Sequence, residues 1–223
     1  MTRTVAVTGA AGALGRKTVE VLKQAGWTVV GIDLAPGPFA GADLAIGGVD
    51  LTDEAAMKAA AGQIQARFGR LDGLVNIAGG FRWETIGDGD LATWDKLYAM
   101  NVKTTLVASR ALTPLLLAAQ GSIVNIGAAG AVKAAMGMGA YAASKSGVAR
   151  LTEALAEELK DAGVRVNAVL PSIIDTDLNR KDMPDADFTR WVTPEALANV
   201  VAFLLSPQAS AVTGALLPVT GRV

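Results

Sequence analysis

The sequence contains no cysteine and no histidine. Without a thiolate or an imidazole there is no thiol nucleophile, no Cys/His zinc site and no Ser-His-Asp triad. An all-carboxylate metal site survives that cut, but no clustered acidic motif supports one, so no metal is expected. Neither sign of charge dominates: 20 basic and 21 acidic residues leave a formal net charge of -1. That balance argues against a nucleic-acid partner, which needs a basic face to displace counterions. What the chain does have is apolar residues, 51% of the total, and 25 glycines among 223 residues. This length suits one large domain with a sizeable core.

Long apolar runs raise the question of a membrane. Residues 111–132 and 196–221 carry no charge, and each is long enough to span a bilayer. Gln120, Gly121 and Ser122 split the first, while Ser206, Pro207, Gln208, Ser210 and Thr213 split the second. Each reads as a buried helix, a turn and a buried strand, as a parallel sheet covered on both faces requires. The N-terminal stretch Thr4–Leu14 holds too many glycines for a signal peptide. No membrane partner is expected, and a cytoplasmic location is.

Strand-like and helix-like segments alternate. Strands are expected at Thr4–Val7, Thr28–Asp33, Asp43–Gly47, Gly73–Ile77, Ser122–Ile126, Val164–Leu170 and Ala215–Val219. Helices are expected at Leu14–Ala25, Thr52–Phe68 with Thr52 as N-cap, Leu91–Ala119 with breaks near Met100 and Pro114, Tyr141–Asp161 and Pro194–Leu205. This alternation predicts an α/β fold built from right-handed βαβ units: a single doubly wound, Rossmann-type domain over residues 1–223 with a mostly parallel seven-stranded sheet and helices on both faces.

Between the first strand and the first helix runs Thr8-Gly9-Ala10-Ala11-Gly12-Ala13-Leu14-Gly15. Glycines there let the backbone turn tightly against a pyrophosphate, and the helix N-terminus adds free N–H groups. The plain alternative is a turn that needs glycine only for close packing. Asp33 ends the second strand roughly 20 residues on, where an acid can bind the adenosine ribose hydroxyls. A carboxylate there repels a 2′-phosphate, and Leu34, Ala35 and Pro36 bring no cation. NAD(H) is therefore expected over NADP(H), with Arg16 the one residue able to soften that preference.

From these residues onward the chain resembles the short-chain dehydrogenase/reductase family over nearly its whole length. The pieces come in family order: Thr8–Gly15, Asp50-Leu51, Asn76-Ile77-Ala78-Gly79, Asn101-Val102, Tyr141-Ala142-Ala143-Ser144-Lys145, Pro171-Ser172-Ile173-Ile174-Asp175-Thr176 and Val212-Thr213-Gly214. Ala13 departs from the commonest glycine pattern, with Gly12 one place earlier. The resemblance implies a cofactor site made of Gly9, Gly12, Leu14, Gly15, Asp33, Leu34, Asp50, Leu51, Asn76, Ala78, Gly79, Tyr141, Lys145, Pro171, Ile174 and Thr176. Asn76 could instead tie two strands together, and Ile174 could be ordinary core.

Tyr141 and Lys145 are four apart and share a helix face. An ammonium beside a phenol favours the phenolate, so the sequence predicts a lowered Tyr141 pKa and proton exchange near neutrality. The resemblance implies that Lys145 also holds the nicotinamide ribose and that Asn101 kinks its helix and keeps a proton relay. It also implies a catalytic serine thirteen residues before the tyrosine, where this chain has Ala128. No residue from Gly127 to Ala140 carries a hydroxyl. Losing a donor to a developing oxyanion costs about 100-fold or more.

One branch of the family, the dihydropteridine reductases, is similar in having Ala at that position. The Gly12–Gly15 turn, Ala78-Gly79-Gly80-Phe81 and the loop from Asp175 to Trp191 also resemble that branch. Asn101 and the short C-terminus do not. Phe81, Trp83, Phe188 and Trp191 are candidate aromatic faces for a flat substrate, with a substrate-side loop at about 171–193; a hydrophobic rim or subunit contact is the alternative for each. The leading expectation is an NADH-dependent reductase of a quinonoid dihydropterin or similar conjugated heterocycle. The alternatives are a general NAD(P)-dependent alcohol/carbonyl oxidoreductase, with Ser172 replacing the missing hydroxyl, and a non-catalytic dinucleotide-binding protein. Family members pair through the helices near Asn101–Ala118 and Tyr141–Asp161. A homodimer or homotetramer is thus expected, presenting Val148, Ala149, Leu151, Ala154 and Leu155.

Overall fold

The apolar runs become strands buried on both faces. In the computed structural model, which describes residues 2–223, seven strands form one sheet: β1 Thr4–Thr8, β2 Thr28–Ile32, β3 Leu44–Ile46, β4 Gly73–Asn76, β5 Ser122–Ile126, β6 Arg165–Pro171 and β7 Leu216–Val219. Their order is β3-β2-β1-β4-β5-β6-β7, and every pairing is parallel. Seven helices accompany them: α1 Ala13–Gln24, α2 Glu54–Phe68, α3 Leu91–Tyr98, α4 Thr104–Leu117, α5 Gly139–Leu159, α6 Asp177–Asp182 and α7 Pro194–Leu205.

Alternate strand residues feed two cores. Ala6, Val30, Ile32, Leu74, Ile123 and Val166 pack with Met57 and Ile64 of α2 and Leu112 and Leu116 of α4. Their neighbours Val5, Val7, Val29, Val75, Val124 and Val169 pack on the other face with Leu22 of α1 and Leu197, Val201 and Leu204 of α7. This two-sided burial explains why the strands read as unbroken apolar runs rather than as alternation. The two charge-free stretches are α4 with β5 and α7 with β7, as the sequence suggests. Among the described residues no helix is long and apolar enough to cross a membrane.

Because β2 and β3 extend the sheet one way from β1 and β4 extends it the other, the strand order reverses between β1 and β4. A crevice opens there at the carboxyl ends of the strands. Thr8 ends β1 opposite Asn76, and Asn76 lies opposite Asn125 of β5.

Three expectations are corrected. Asp53, not Thr52, caps α2 by accepting from the Ala55 N–H at 2.8 Å; Asp50 already takes both the N–H and the hydroxyl of Thr52, at 2.8 and 2.7 Å. The break near Met100 is a π-helical turn over Ala99–Lys103, whereas Pro114 sits within α4 without ending it. Finally, the 171–193 segment is not plain loop: it holds α6 and a 3-10 turn at Phe188–Arg190, capped by Thr176 and Asp187.

Candidate active site

The glycine-rich segment is a tight turn in which side chains would strike neighbouring backbone. Gly9 has φ +69, and a Cβ on it would lie 2.8 Å from the Ala78 nitrogen. A Cβ on Gly15 would lie 2.0 Å from the Gly9 carbonyl oxygen. Gly12 caps α1 without a side chain, and the first turn holds no acid, so its N–H groups are free for an anion. Leu14 turns its side chain into the core, leaving its main chain toward the crevice. Thr8 fixes the floor: its hydroxyl accepts from the N–H groups of Ile77 and Ala78 at 3.1 and 3.4 Å. A threonine directly before Gly9 was the sequence signal for this.

Asp33 stands at the rim of this turn. Its two carboxylate oxygens accept from the Ala11 and Ala35 N–H groups, each at 2.9 Å, so the acid is held against the glycine loop. Leu34 beside it is 67% exposed. Asp50 is exposed, and the Thr52 hydrogen bonds hold its carboxyl below the usual range; Leu51 is buried in the core. Asn76 is buried, donating to Ser109 Oγ at 3.0 Å and Asn125 Oδ1 at 2.8 Å. Its NH2 ties β4 to β5 and α4, while its Oδ1 is buried without a hydrogen-bond partner.

Gly79 lies beside Asn101 and Lys145. A Cβ there would lie 2.5 Å from Asn101 Oδ1 and 3.5 Å from Lys145 Nζ. Asn101 sits in the π-helical turn, its Oδ1 accepting from the Gly80 N–H at 2.9 Å. Its Nδ2 donates to the Gly80 carbonyl at 3.1 Å and to Ser144 Oγ at 2.9 Å. Carbonyls displaced by the π-turn are taken up by hydroxyls one turn on: Thr104 to Met100 at 2.6 Å and Thr105 to Asn101 at 2.8 Å. These partners were missed in the sequence, since a mid-helix Ser or Thr carries no distinctive signal.

Tyr141 lies in the first turn of α5, with Lys145 one turn beyond. Lys145 Nζ donates to the Ile126 carbonyl at 2.8 Å. Burial pushes the Lys145 ammonium down to about 8 and the Tyr141 phenol up to about 12. The direction for Tyr141 is therefore opposite to the expectation from the Tyr-Lys spacing. Desolvation sets the direction for both groups.

Ala128 is buried in extended backbone at φ -161, ψ 151. The nearby hydroxyls are committed to carbonyls: Ser144 to Tyr141 at 2.7 Å, Ser146 to Ala131 at 2.8 Å and Ser172 to Thr220 at 2.8 Å. Ser172 thus does not stand in for the missing serine.

The four candidate aromatics fall into two sets. Phe81 meets Tyr141 edge-on, with centroids 4.9 Å apart. Trp83 donates from Nε1 to the Met136 carbonyl at 3.1 Å, so the indole is engaged with protein. Phe188 and Trp191 pair at 4.8 Å in the substrate-side loop, where Trp191 is buried and Arg180 lies over Phe188 at 4.9 Å. Trp191 accordingly presents no free face. The loop is braced by the Ile174–Val192 bridge and by Arg180 Nη2 donating to Asp175 at 2.8 Å, a contact that holds the Asp175 carboxyl below its usual range. Thr176 Oγ1 accepts from the Asn179 N–H at 3.2 Å, and Pro171 ends β6 opposite Val219.

A family model described as enoyl-(acyl carrier protein) reductase matches residues 9–221. The chain is 34% identical to 2-(S)-hydroxypropyl-CoM dehydrogenase 3 of Xanthobacter autotrophicus, over 97% of this chain and 94% of that one. It superposes with TM-score 0.91 on a short-chain type dehydrogenase/reductase from Mycobacterium ulcerans, at 30% identity, covering 99% and 89% of the two chains. The 3-ketoacyl-(acyl-carrier-protein) reductase of Brucella melitensis, solved in complex with NADH, gives 0.89 at 29% identity, covering 99% and 98%.

Proposed function

Since this chain belongs to the short-chain dehydrogenase/reductase family and is an oxidoreductase, we propose that it is an NADH-dependent reductase of an electron-poor conjugated ring, with quinonoid dihydropterin as the first candidate. The carrying observation is the hydroxyl-free wall around Ala128, with the neighbouring serines committed elsewhere. A ketone builds up charge on oxygen and needs a positioned donor there. A conjugated imine spreads that charge over its ring and needs only hydride and a proton.

Gly9 and Gly15 let the β1–α1 turn close tightly on itself and on Ala78, and the uncapped first turn of α1, which holds no acid, suits a pyrophosphate. Asp33, held toward that turn, accepts ribose hydroxyls and repels a 2′-phosphate, which favours NAD(H) over NADP(H). Leu34, Asp50 and Leu51 flank the adenine side, Asn76, Ala78 and Gly79 line the crevice floor, and Pro171, Ile174 and Thr176 close the nicotinamide side. When bound, the dinucleotide supplies the hydride. Lys145 holds the ribose, and Asn101 fixes the Gly79–Gly80 backbone beside it. Tyr141 keeps its proton at neutral pH, as a donor in reduction requires, and releases it to the reduced ring.

A second reading, an alcohol or carbonyl oxidoreductase, is favoured by the names of the similar proteins: one a hydroxypropyl-CoM dehydrogenase, another a ketoacyl reductase. Following NADH absorbance separates the two. Fast turnover of quinonoid dihydropterin with inert ketones and aldehydes is expected; silence on the pterin with any ketone reduced would overturn the proposal in favour of the second reading. Tyr141→Phe should lower turnover by about 100-fold or more while NADH binding persists; unchanged turnover would remove the tyrosine from the chemistry.

A further inference from the structure

Two loops flank the Tyr141 ring, which is partly buried. One follows β4 and brings Phe81 edge-on to it at 4.9 Å. The other follows β5 and brings Gly130 beside it: a Cβ on Gly130 would touch the Tyr141 ring at 4.0 Å and Met138 Cε at 3.2 Å. The second loop has no hydroxyl of its own, so its tethers come from outside. On the helix side, Ser146 Oγ donates to the Ala131 carbonyl at 2.8 Å. On the opposite side, Trp83 Nε1 donates to the Met136 carbonyl at 3.1 Å and the Glu84 N–H to the Gly137 carbonyl at 2.8 Å.

Gly137 is shaped for this contact. Its φ is +74, and a Cβ there would lie 2.1 Å from Cε2 of Trp83. The indole therefore packs directly against a bare glycine while its N–H holds the preceding carbonyl. Two residues later Gly139 opens α5, within reach of Trp94 and Ile86, and Tyr141 follows in that same turn.

We propose that Trp83 is a positioning residue: with Gly137 it fastens the two loops together at the start of α5, and so holds the loops that flank the Tyr141 phenol in place. Trp83 was a candidate substrate face; the geometry makes it a fastener whose indole N–H is used within the protein. The inference rests on Tyr141 as the proton donor, but its main test needs neither cofactor nor substrate.

The chain has two tyrosines, Tyr98 and Tyr141, so Tyr98→Phe leaves one phenol to observe by its phenolate absorbance. In that background Tyr141 should stay silent up to about pH 11, above the ordinary ~10 for tyrosine. With Trp83→Ala it should titrate closer to its ordinary value, because the loosened loops leave the ring more hydrated. The substitution changes no charge; Arg82, Glu84, Asp88 and Asp90 of the first loop, Lys133 of the second and Lys145 one turn along α5 are all retained. Gly137→Ala opens the same fastener from the other loop and should give the same shift, which covers the case in which the tryptophan variant folds poorly. Trp83→Phe keeps the ring without the N–H and should fall between wild type and Trp83→Ala. Where a substrate is in hand, kcat should drop about ten- to 100-fold with NADH affinity unchanged. A Trp83→Ala protein that melts earlier yet keeps the Tyr141 titration of the parent would overturn the proposal, leaving Trp83 a purely structural contact.

Discussion

At the scale of single residues, the candidate site turns on Ala128, which has no hydroxyl, and on two ionisable groups, Lys145 buried and Tyr141 partly buried. Restoring the hydroxyl is a direct test of substrate class. Ala128→Ser should raise kcat/KM for simple ketones by about 10- to 100-fold, the magnitude one oxyanion donor supplies, and leave a conjugated heterocycle little affected; steady-state kinetics on both substrates reads the difference. Lys145 gives a stability signature. Its folded-state pKa, about 8, lies below the ordinary 10.5, so between those values the unfolded chain binds the extra proton. Stability should therefore climb as pH rises from about 8 to about 10, with the full cost, at most about 3 kcal/mol, present below 8. Above about 10 the raised Tyr141 phenol works the other way, since the unfolded chain gives up that proton first. Urea unfolding from pH 7 to 10, against a Lys145→Met protein that should lack this slope, checks it. The identities of Tyr141, Lys145 and Ala128 were legible in the sequence. The direction of the tyrosine shift was not, because spacing shows an ammonium nearby but not how much water surrounds the phenol.

At the scale of elements, function depends on where helices begin and how one of them is interrupted. The β1–α1 turn works because Gly15 lets the helix start against the Gly9 carbonyl. Gly15→Ala puts a Cβ 2.0 Å from that oxygen, a main-chain clash that no rotamer relieves. NADH binding should weaken at least about tenfold, and the melting temperature should fall; fluorescence titration and thermal melts measure both. The interruption near Met100 was legible as a break, and its form was not. A π-turn forms there because Thr104 and Thr105 take up the displaced carbonyls and Asn101 is clamped by Gly80 and Ser144, partners spread over three elements. Helix α6 escaped the sequence reading for a similar reason. Six residues carry no usable period, and the helix stands through its Thr176 cap and the Asp175–Arg180 contact.

At the scale of the whole molecule, the sheet puts the β1–β4 crevice, the glycine turn and the start of α5 at one edge, and leaves the outer sides of α4 and α5 to solvent. Val148 and Ala149, expected on a subunit surface, are buried within the chain itself, at 0% and 3% exposure. Leu106 and Leu117 of α4, 39% and 41% exposed, remain on that side, with Leu151, Ala154 and Leu155 of α5. A homo-oligomer through this side should elute at a multiple of the 22.8 kDa chain mass, and Leu106→Lys with Leu117→Lys should return it to monomer; light scattering decides. The parallel sheet and its seven strands were determined by the sequence itself, because apolar runs alternating with helical stretches are local patterns that hold whatever surrounds them. Tertiary structure alone decided that Asn76 spends its NH2 on Ser109 and Asn125, that Trp191 is buried and Trp83 engaged, and that Ser172 bonds Thr220. Each of those outcomes depends on which distant segment arrives to compete for the group, and hydrogen bonds and burial across dozens of residues leave no trace in local sequence.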